Sequence, residues 1–341
     1  MLDKVAVIGA GSWGTTVAAI AARSCPTVLW ARRPALGEAI DLRHENPDYL
    51  AGIALPVSLR ATSVLAEAVD GAALVIMAVP SHGFRRVVGD LGPHLAAGVP
   101  VLSLSKGLEQ GSHLRMTEVI ADELPGHPAG VLTGPNLARE VVAGQPAATV
   151  VAMTDEAIAT EVQQLLRTDT FRVYTNPDVI GCETAGATKN VLAIAAGMIH
   201  GLGLGDSSSA ALITRGLAEL GRFAVALGGD PMTMAGLAGV GDLVATCTSR
   251  LSRNRTVGDL LGQGRTLDDV LGDMRMVAEG VKSARPLLEL AAAHGVEMPI
   301  GQQVADVLDG VRTPVETIPA LMLRSAKPEF HGMEPRRSRP T

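Results

Sequence analysis

The chain has 341 residues, 47% of them hydrophobic and 19% charged, with a formal net charge of -6. That length suffices for roughly two domains with sizeable cores, and the balance is that of an ordinary soluble globular protein with no incentive to bind polyanions. Aromatic residues supply only 2%, which predicts cores of Ala, Val and Leu and leaves no stacking platform for single-stranded nucleic acid.

The first half alternates β-branched runs with alanine-rich stretches. Strands are predicted at 5–8, 27–30, 73–79, 99–104, 131–133, 148–153 and 171–174. Helical patterns fall at 13–23, 114–123 and 156–167. Strand–helix alternation with continuously apolar strands predicts a largely parallel sheet covered on both faces, a Rossmann-type α/β domain over 1–180. From Cys182 onward the apolar residues recur at helical spacing. Helices are predicted at 184–200, 210–227, 242–248, 253–261, 278–294 and 300–308, with a short one after Pro314. An all-helical domain is therefore expected over 181–325. The remaining 326–341, with three prolines and Arg336, Arg337 and Arg339, reads as a disordered basic tail.

The first apolar run is too short for a secretory segment, and the alanine-rich 191–199 falls short of a bilayer span. A cytoplasmic protein without integral membrane contact is expected. Cys25, Cys182 and Cys247 are far apart and odd in number, and the histidines form no compact cluster, so no metal site is predicted.

The strand at 5–8 runs into Gly9-Ala-Gly11-Ser12-Trp13-Gly14. Gly9 permits the tight turn, Gly11 lets backbone approach a pyrophosphate, and Gly14 allows close helix–strand packing, with free helix amides facing the phosphates. An NAD-only site would usually carry an acid after the second strand; here stand Arg32 and Arg33. A guanidinium pairs with a ribose phosphate or stacks on adenine, so a nucleotide such as NADP(H) is favoured without excluding NAD(H). The bland alternative is a solvated loop pair. His82, in the turn after the next strand, reads as a loop residue.

Lysine is scarce: only Lys4, Lys106, Lys189, Lys282 and Lys327. An amine can be tuned to exchange a proton, whereas a guanidinium stays charged. Lys106, in Ser105-Lys106-Gly107, lies where strand ends meet a substrate crevice. Lys189, in Gly186-Ala-Thr-Lys189-Asn190, opens a long apolar helix; burial there would lower its pKa, unless the side chain snorkels to solvent. Asp242 either caps a helix or orients an ammonium. Ser252, Arg253 and Asn254 suit a small phosphate or form an ordinary polar cap. His200 shares the face of Lys189 but lies about 16 Å along the helix, so it reads as a helix-end residue. The glycine-rich 201–209 is expected to be a loop at the active-site mouth.

These blocks, with Gly134-Pro-Asn136-Leu-Ala138 and Gly239-Val-Gly-Asp242, resemble the bacterial NAD(P)-dependent glycerol-3-phosphate dehydrogenase family in order and spacing, up to about residue 325. The resemblance implies reversible reduction of dihydroxyacetone phosphate to sn-glycerol 3-phosphate, for glycerophospholipid synthesis, by a homodimer. It also implies that the helical part resembles the C-terminal domain of 6-phosphogluconate dehydrogenase. Lys189 takes the position of the catalytic proton-transfer residue. Lys106, Gly134, Asn136, Lys189, Asp242, Ser252, Arg253 and Asn254 match the substrate set. Gly9, Gly11, Ser12, Trp13, Gly14, Arg32, Arg33, Tyr49, Lys106, Ala138, Arg253, Val277 and Glu279 match cofactor contacts. Asn136 departs from the serine of many members; either side chain can hydrogen-bond. The alternatives are a β-hydroxyacid or sugar-acid dehydrogenase of similar architecture, which would need carboxylate recognition, and a nucleotide sensor without turnover.

Overall fold

The computed structural model describes residues 2–274 and 278–329. Eight strands, β1 (Val5–Ile8), β2 (Thr27–Trp30), β3 (Leu59–Thr62), β4 (Leu74–Met77), β5 (Val101–Ser103), β6 (Ala129–Thr133), β7 (Ala147–Met153) and β8 (Phe171–Asn176), form one sheet in the order β3-β2-β1-β4-β5-β6-β7-β8. All neighbouring pairs are parallel except β6 with β7. Seven helices accompany the sheet: α1 (Ser12–Ala21), α2 (Pro34–Arg43), α3 (Leu65–Val69), α4 (Phe84–Leu91), α5 (Met116–Glu123), α6 (Ala138–Val142) and α7 (Glu156–Leu166). Eight more follow: α8 (Val179–Gly201), α9 (Asp206–Ala226), α10 (Asp242–Thr248), α11 (Arg253–Gly262), α12 (Leu267–Asp273), α13 (Glu279–Ala293), α14 (Pro299–Leu308) and α15 (Pro314–Met322).

β1 and β4 are buried at every position because helices cover both faces of the sheet. One face packs Val5, Val7, Leu29 and Ile76 against α1, α2 and α7. The other packs Ala6, Ile8, Val75 and Met77 against α3, α4 and α5. The expected parallel-rich sheet followed by helices is the architecture found. The sequence reading did not include β3 or the helices α2, α3, α4, α6 and α12. β3 reads Leu-Arg-Ala-Thr and is an edge strand with only Leu59 fully buried, so it lacks the apolar run that marks its neighbours.

The chain order makes β1 the switch point: β2 and β3 lie to one side, and β4 onward to the other. In open α/β sheets the crevice beyond such strand ends receives the ligand. Gly9 sits there with φ of 119°, and a Cβ on it would lie 2.6 Å from Ala78 O at the end of β4. Only glycine fits both the dihedral and the space.

The helical part is organised around α8, buried from Gly181 to Met198. Its closest neighbour is α11, and the contact is backbone on backbone. Cβ atoms on Gly197 and Gly201 of α8 would collide with the carbonyls of Arg255 and Asp259, and Cβ atoms on Gly258 and Gly262 with those of Ile194 and Met198. Small residues on both helices let α11 lie this near, which brings its first turn beside Lys189.

Two expectations need revision. The loop expected over 201–209 is confined to 202–205: Gly201 ends α8 and Asp206 begins α9. That places the linker about 18 Å along the helix from Lys189. Residues 326–329 are held against the helical part, with Lys327 pairing with Glu297 at 2.8 Å and Arg215 donating to Glu329 O. The arginine cluster of the expected tail lies outside the described residues.

Candidate active site

The nucleotide crevice is built around the first turn of α1. Gly11 is its N-cap, without any side-chain cap, and a Cβ on Gly11 would meet nothing within 4 Å. The turn thus borders open space, with backbone amides left over for an anion. A Cβ on Gly14 would collide with Gly9 O, so this glycine sets how closely α1 folds back on the turn. The Ser12 hydroxyl is spent on Tyr49 O at 3.1 Å, and the Trp13 ring packs edge-on to Phe171. Ala138 O accepts from Thr16 Oγ1, which lays the start of α6 against α1. The donors and the space suit a dinucleotide pyrophosphate.

Asn46 had no place in the sequence reading, yet it joins these parts. Fully buried, it donates to Ala10 O (3.0 Å) and Thr15 Oγ1 (2.8 Å) and accepts from the Tyr49 amide (3.1 Å). It therefore fixes the Tyr49 loop over the glycine turn. Both Arg32 and Arg33 are exposed. Arg33 is ion-paired with Asp48 on the same rim, whereas Arg32 has no ion-pair partner among the described residues.

Across the crevice, three charged side chains converge. Asp242, at the first turn of α10, is 1% exposed. It accepts from Lys106 Nζ through Oδ2 at 2.6 Å and from Lys189 Nζ through Oδ1. Lys189 also donates to Thr246 Oγ1 at 2.6 Å, and Thr246 donates to Asp242 Oδ1 at 3.2 Å. Lys106 donates further to Gly134 O at 3.1 Å. Burial pushes the Lys189 ammonium down to about 7, with Lys106 adding to the fall and Asp242 opposing it. Burial alone would raise Asp242; the two ammoniums override it and hold the carboxyl below its usual range. Lys189 is 5% exposed, so it does not snorkel.

A chain of amides ties this cluster to α11 and α13. Asn190 donates to Lys106 O (2.9 Å) and accepts from Asn254 Nδ2 (2.9 Å), and Asn254 Oδ1 accepts from the Gly280 amide (3.0 Å). The second N–H of Asn254 finds no acceptor among the described residues. Ser252 is the N-cap of α11, its hydroxyl accepting from Arg255 N. Arg253 has an exposed side chain at the helix start, where desolvation by its surroundings lowers its pKa and the Glu279 carboxylate raises it. Gly134 lies beside Asn136, but both ends of the Asn136 amide are taken by β7, at Ala148 O and Thr149 Oγ1. Asn136 thereby ties its loop to the sheet and, like Asn254, keeps one N–H unengaged among the described residues. Glu279 opens α13 and accepts from Ser81 Oγ. Val277 lies outside the described residues.

Asn190, Thr246 and Ser81 join the site without having been assigned roles from sequence. Thr246 stands four residues after Asp242 on one helix, a spacing that places both on one face. No such local signal marks Ser81. His200 is exposed and pairs with Asp259, away from the cluster. A cavity of about 500 Å³ opens elsewhere, lined by Tyr174, Asn176, Thr233 and Leu237, and includes no site residue. No three His, Cys, Asp or Glu among the described residues are grouped to hold a metal, and none of their helices is long and apolar enough to cross a membrane.

A doubly wound sheet with a dinucleotide turn, completed by helices carrying a buried lysine of lowered pKa, defines a two-domain nicotinamide-dependent dehydrogenase. The family model described as NAD-dependent glycerol-3-phosphate dehydrogenase N-terminus matches residues 4–159, and that of its C-terminus matches 178–319. The chain belongs to the NAD-dependent glycerol-3-phosphate dehydrogenase family and is an oxidoreductase with NAD(P)(H) as cofactor. It is 55% identical to glycerol-3-phosphate dehydrogenase [NAD(P)+] 2 of Sphingopyxis alaskensis, over 96% of this chain and 98% of that one. Identity to the Thermobifida fusca glycerol-3-phosphate dehydrogenase [NAD(P)+] is 54%, over 97% and 100%. The crystal structure of the Coxiella burnetii glycerol-3-phosphate dehydrogenase superposes with a TM-score of 0.91 at 37% identity, covering 95% of this chain and 99% of that one.

Proposed function

We propose that the protein interconverts dihydroxyacetone phosphate and sn-glycerol 3-phosphate, with Lys189 as the proton-transfer group. The observation that carries this reading is the buried Lys189 ammonium, held by Asp242 and Thr246 beside Lys106, with a pKa of about 7. When bound, NAD(P)H supplies a hydride to the ketone carbon. As the oxygen gains charge, the Lys189 ammonium donates a proton to it and is left neutral. Lys106 adds positive potential on the same side, and Asp242 keeps the two amines in register. In the oxidising direction neutral Lys189 takes the hydroxyl proton. Arg253, the second N–H of Asn254 and the α11 amides are suited to the substrate phosphate.

On this reading residues 1–180 hold the nucleotide, with Gly9, Gly11, Gly14, Arg32, Arg33 and Tyr49 around it. Residues 181–325 complete the substrate site and reach the cofactor through Arg253 and Glu279. Family resemblance supports a cytoplasmic homodimer serving glycerophospholipid synthesis; light scattering on the purified protein tests the dimer. The decisive assay follows NADPH and NADH consumption spectrophotometrically. Turnover should require dihydroxyacetone phosphate and fail with unphosphorylated dihydroxyacetone. Lys189→Ala should lose at least about a hundredfold in kcat while binding NADPH normally. Wild-type turnover by that variant would sink the assignment.

A further inference from the structure

Ser81 lies in the turn after β4 of the sheet domain, and Glu279 begins α13 of the helical domain, 198 residues away. The Ser81 hydroxyl donates to Glu279 Oε2 at 2.8 Å, bridging the two domains at the crevice. Ser81 is only 4% exposed and Glu279 is half-buried, so the bond is partly shielded from water. Among the described residues no other hydrogen bond to Glu279 is found, and Oε1 remains without a donor.

A second observation points to the same spot. A Cβ on Gly107, the residue after Lys106, would lie 2.8 Å from Ser81 Oγ and 3.1 Å from both Glu279 Oε2 and Ser283 Oγ. Three polar side-chain atoms thus close over one glycine, two of them from α13, one helical turn apart. The Ser283 hydroxyl is buried and has no hydrogen-bond partner among the described residues, an expense a fold rarely tolerates without use. The groove between the Lys106 loop and α13 is therefore shaped to keep the Glu279 carboxylate in one place.

We infer that Ser81 is a positioning residue for cofactor binding: it anchors Oε2 of Glu279 and thereby leaves Oε1 to accept from an N–H or O–H of the bound dinucleotide. This rests on the reading of Glu279 as a cofactor contact. Gly107 belongs to the same device, because any side chain there would push the Ser81–Glu279 pair apart. Hydride transfer itself does not pass through this contact, so cofactor affinity should respond and the chemical step should not.

The test is a double-mutant cycle on the full-length enzyme, reading NADPH dissociation constants by fluorescence titration together with kcat and both KM values. Ser81→Ala should weaken NADPH binding by up to about tenfold, the worth of the Glu279–cofactor hydrogen bond that it positions, with kcat and the dihydroxyacetone phosphate KM within about twofold. Glu279→Ala should weaken NADPH binding comparably, and adding Ser81→Ala to it should cost little more. Ser81→Cys, a weak donor in the same space, should fall between Ser and Ala, and serves if the alanine variant folds poorly. If Glu279→Ala leaves NADPH affinity unchanged, the cofactor reading of Glu279 fails. If it weakens binding but Ser81→Ala does not, or if the two losses simply add, the positioning role of Ser81 is overturned.

Discussion

Lys189 titrates near neutrality because its charge is buried, and that has a direct consequence for the pH dependence of turnover. The fall from 10.5 to about 7 is worth roughly 5 kcal/mol against the charged form. Reduction needs the ammonium as proton donor, so kcat/KM for dihydroxyacetone phosphate should fall as pH rises through about 7. Between about pH 6 and 8 the ammonium fraction drops about tenfold, and the rate should follow. Oxidation of glycerol 3-phosphate needs the neutral amine and should rise over the same window. Asp242→Asn removes the one contribution that raises Lys189 and leaves burial and Lys106, which both lower it. Both inflections should then move to lower pH by about one unit or more. The measurement is initial rate in both directions at subsaturating substrate between about pH 6 and 9. A flat reduction profile, an inflection in the ordinary lysine range, or an upward shift in Asp242→Asn would refute the proton-transfer argument.

The α8–α11 seam should not tolerate added volume. Gly258→Ala, whose Cβ would collide with Ile194 O, should destabilise by at least about 1–3 kcal/mol in denaturant unfolding, and it should raise the substrate KM by displacing Arg253 and Asn254. At the nucleotide rim, Arg32→Ala should raise the NADPH KM about tenfold or more with little change for NADH. Arg33→Ala should do less, since Asp48 already holds Arg33; equal losses for both cofactors would remove the phosphate role. Glu219, buried beneath α14 and accepting from the Ile300 and Gly301 amides, has its pKa raised by burial to about 7. The folded state then binds more protons than the unfolded one between the ordinary glutamate value of 4.5 and about 7, so stability falls as pH rises through that window, by roughly 3 kcal/mol. In Glu219→Gln this slope should vanish, so its melting temperature should gain on the wild type as pH rises across the window.

The cofactor turn and most of the sheet were readable from sequence because their causes are local. A parallel strand buried on both faces needs an unbroken apolar run, as in Val5–Ile8 and Leu74–Met77. A pyrophosphate turn needs glycines within six residues of one another. Where the cause was not local the reading failed or stopped short. β3 owes its place to pairing with β2 rather than to its own composition, and the glycine-rich 201–209 run looked like a loop although α9 begins inside it. The fate of Asn136 was equally invisible, because its amide is claimed by Ala148 and Thr149 of β7.

Sequence by itself determined the architecture, the dinucleotide turn and, through resemblance, which residues gather at the site. Only the tertiary structure decided how they act on one another. Lys106 and Asp242 are 136 residues apart, Lys189 and Asp242 are 53 apart, and Ser81 and Glu279 are 198 apart. A pKa depends on which charges share a dry volume, and no spacing along the chain encodes that volume. Folding α8, α10 and the Lys106 loop onto one another creates it, and so lowers the pKa of Lys189 to about 7.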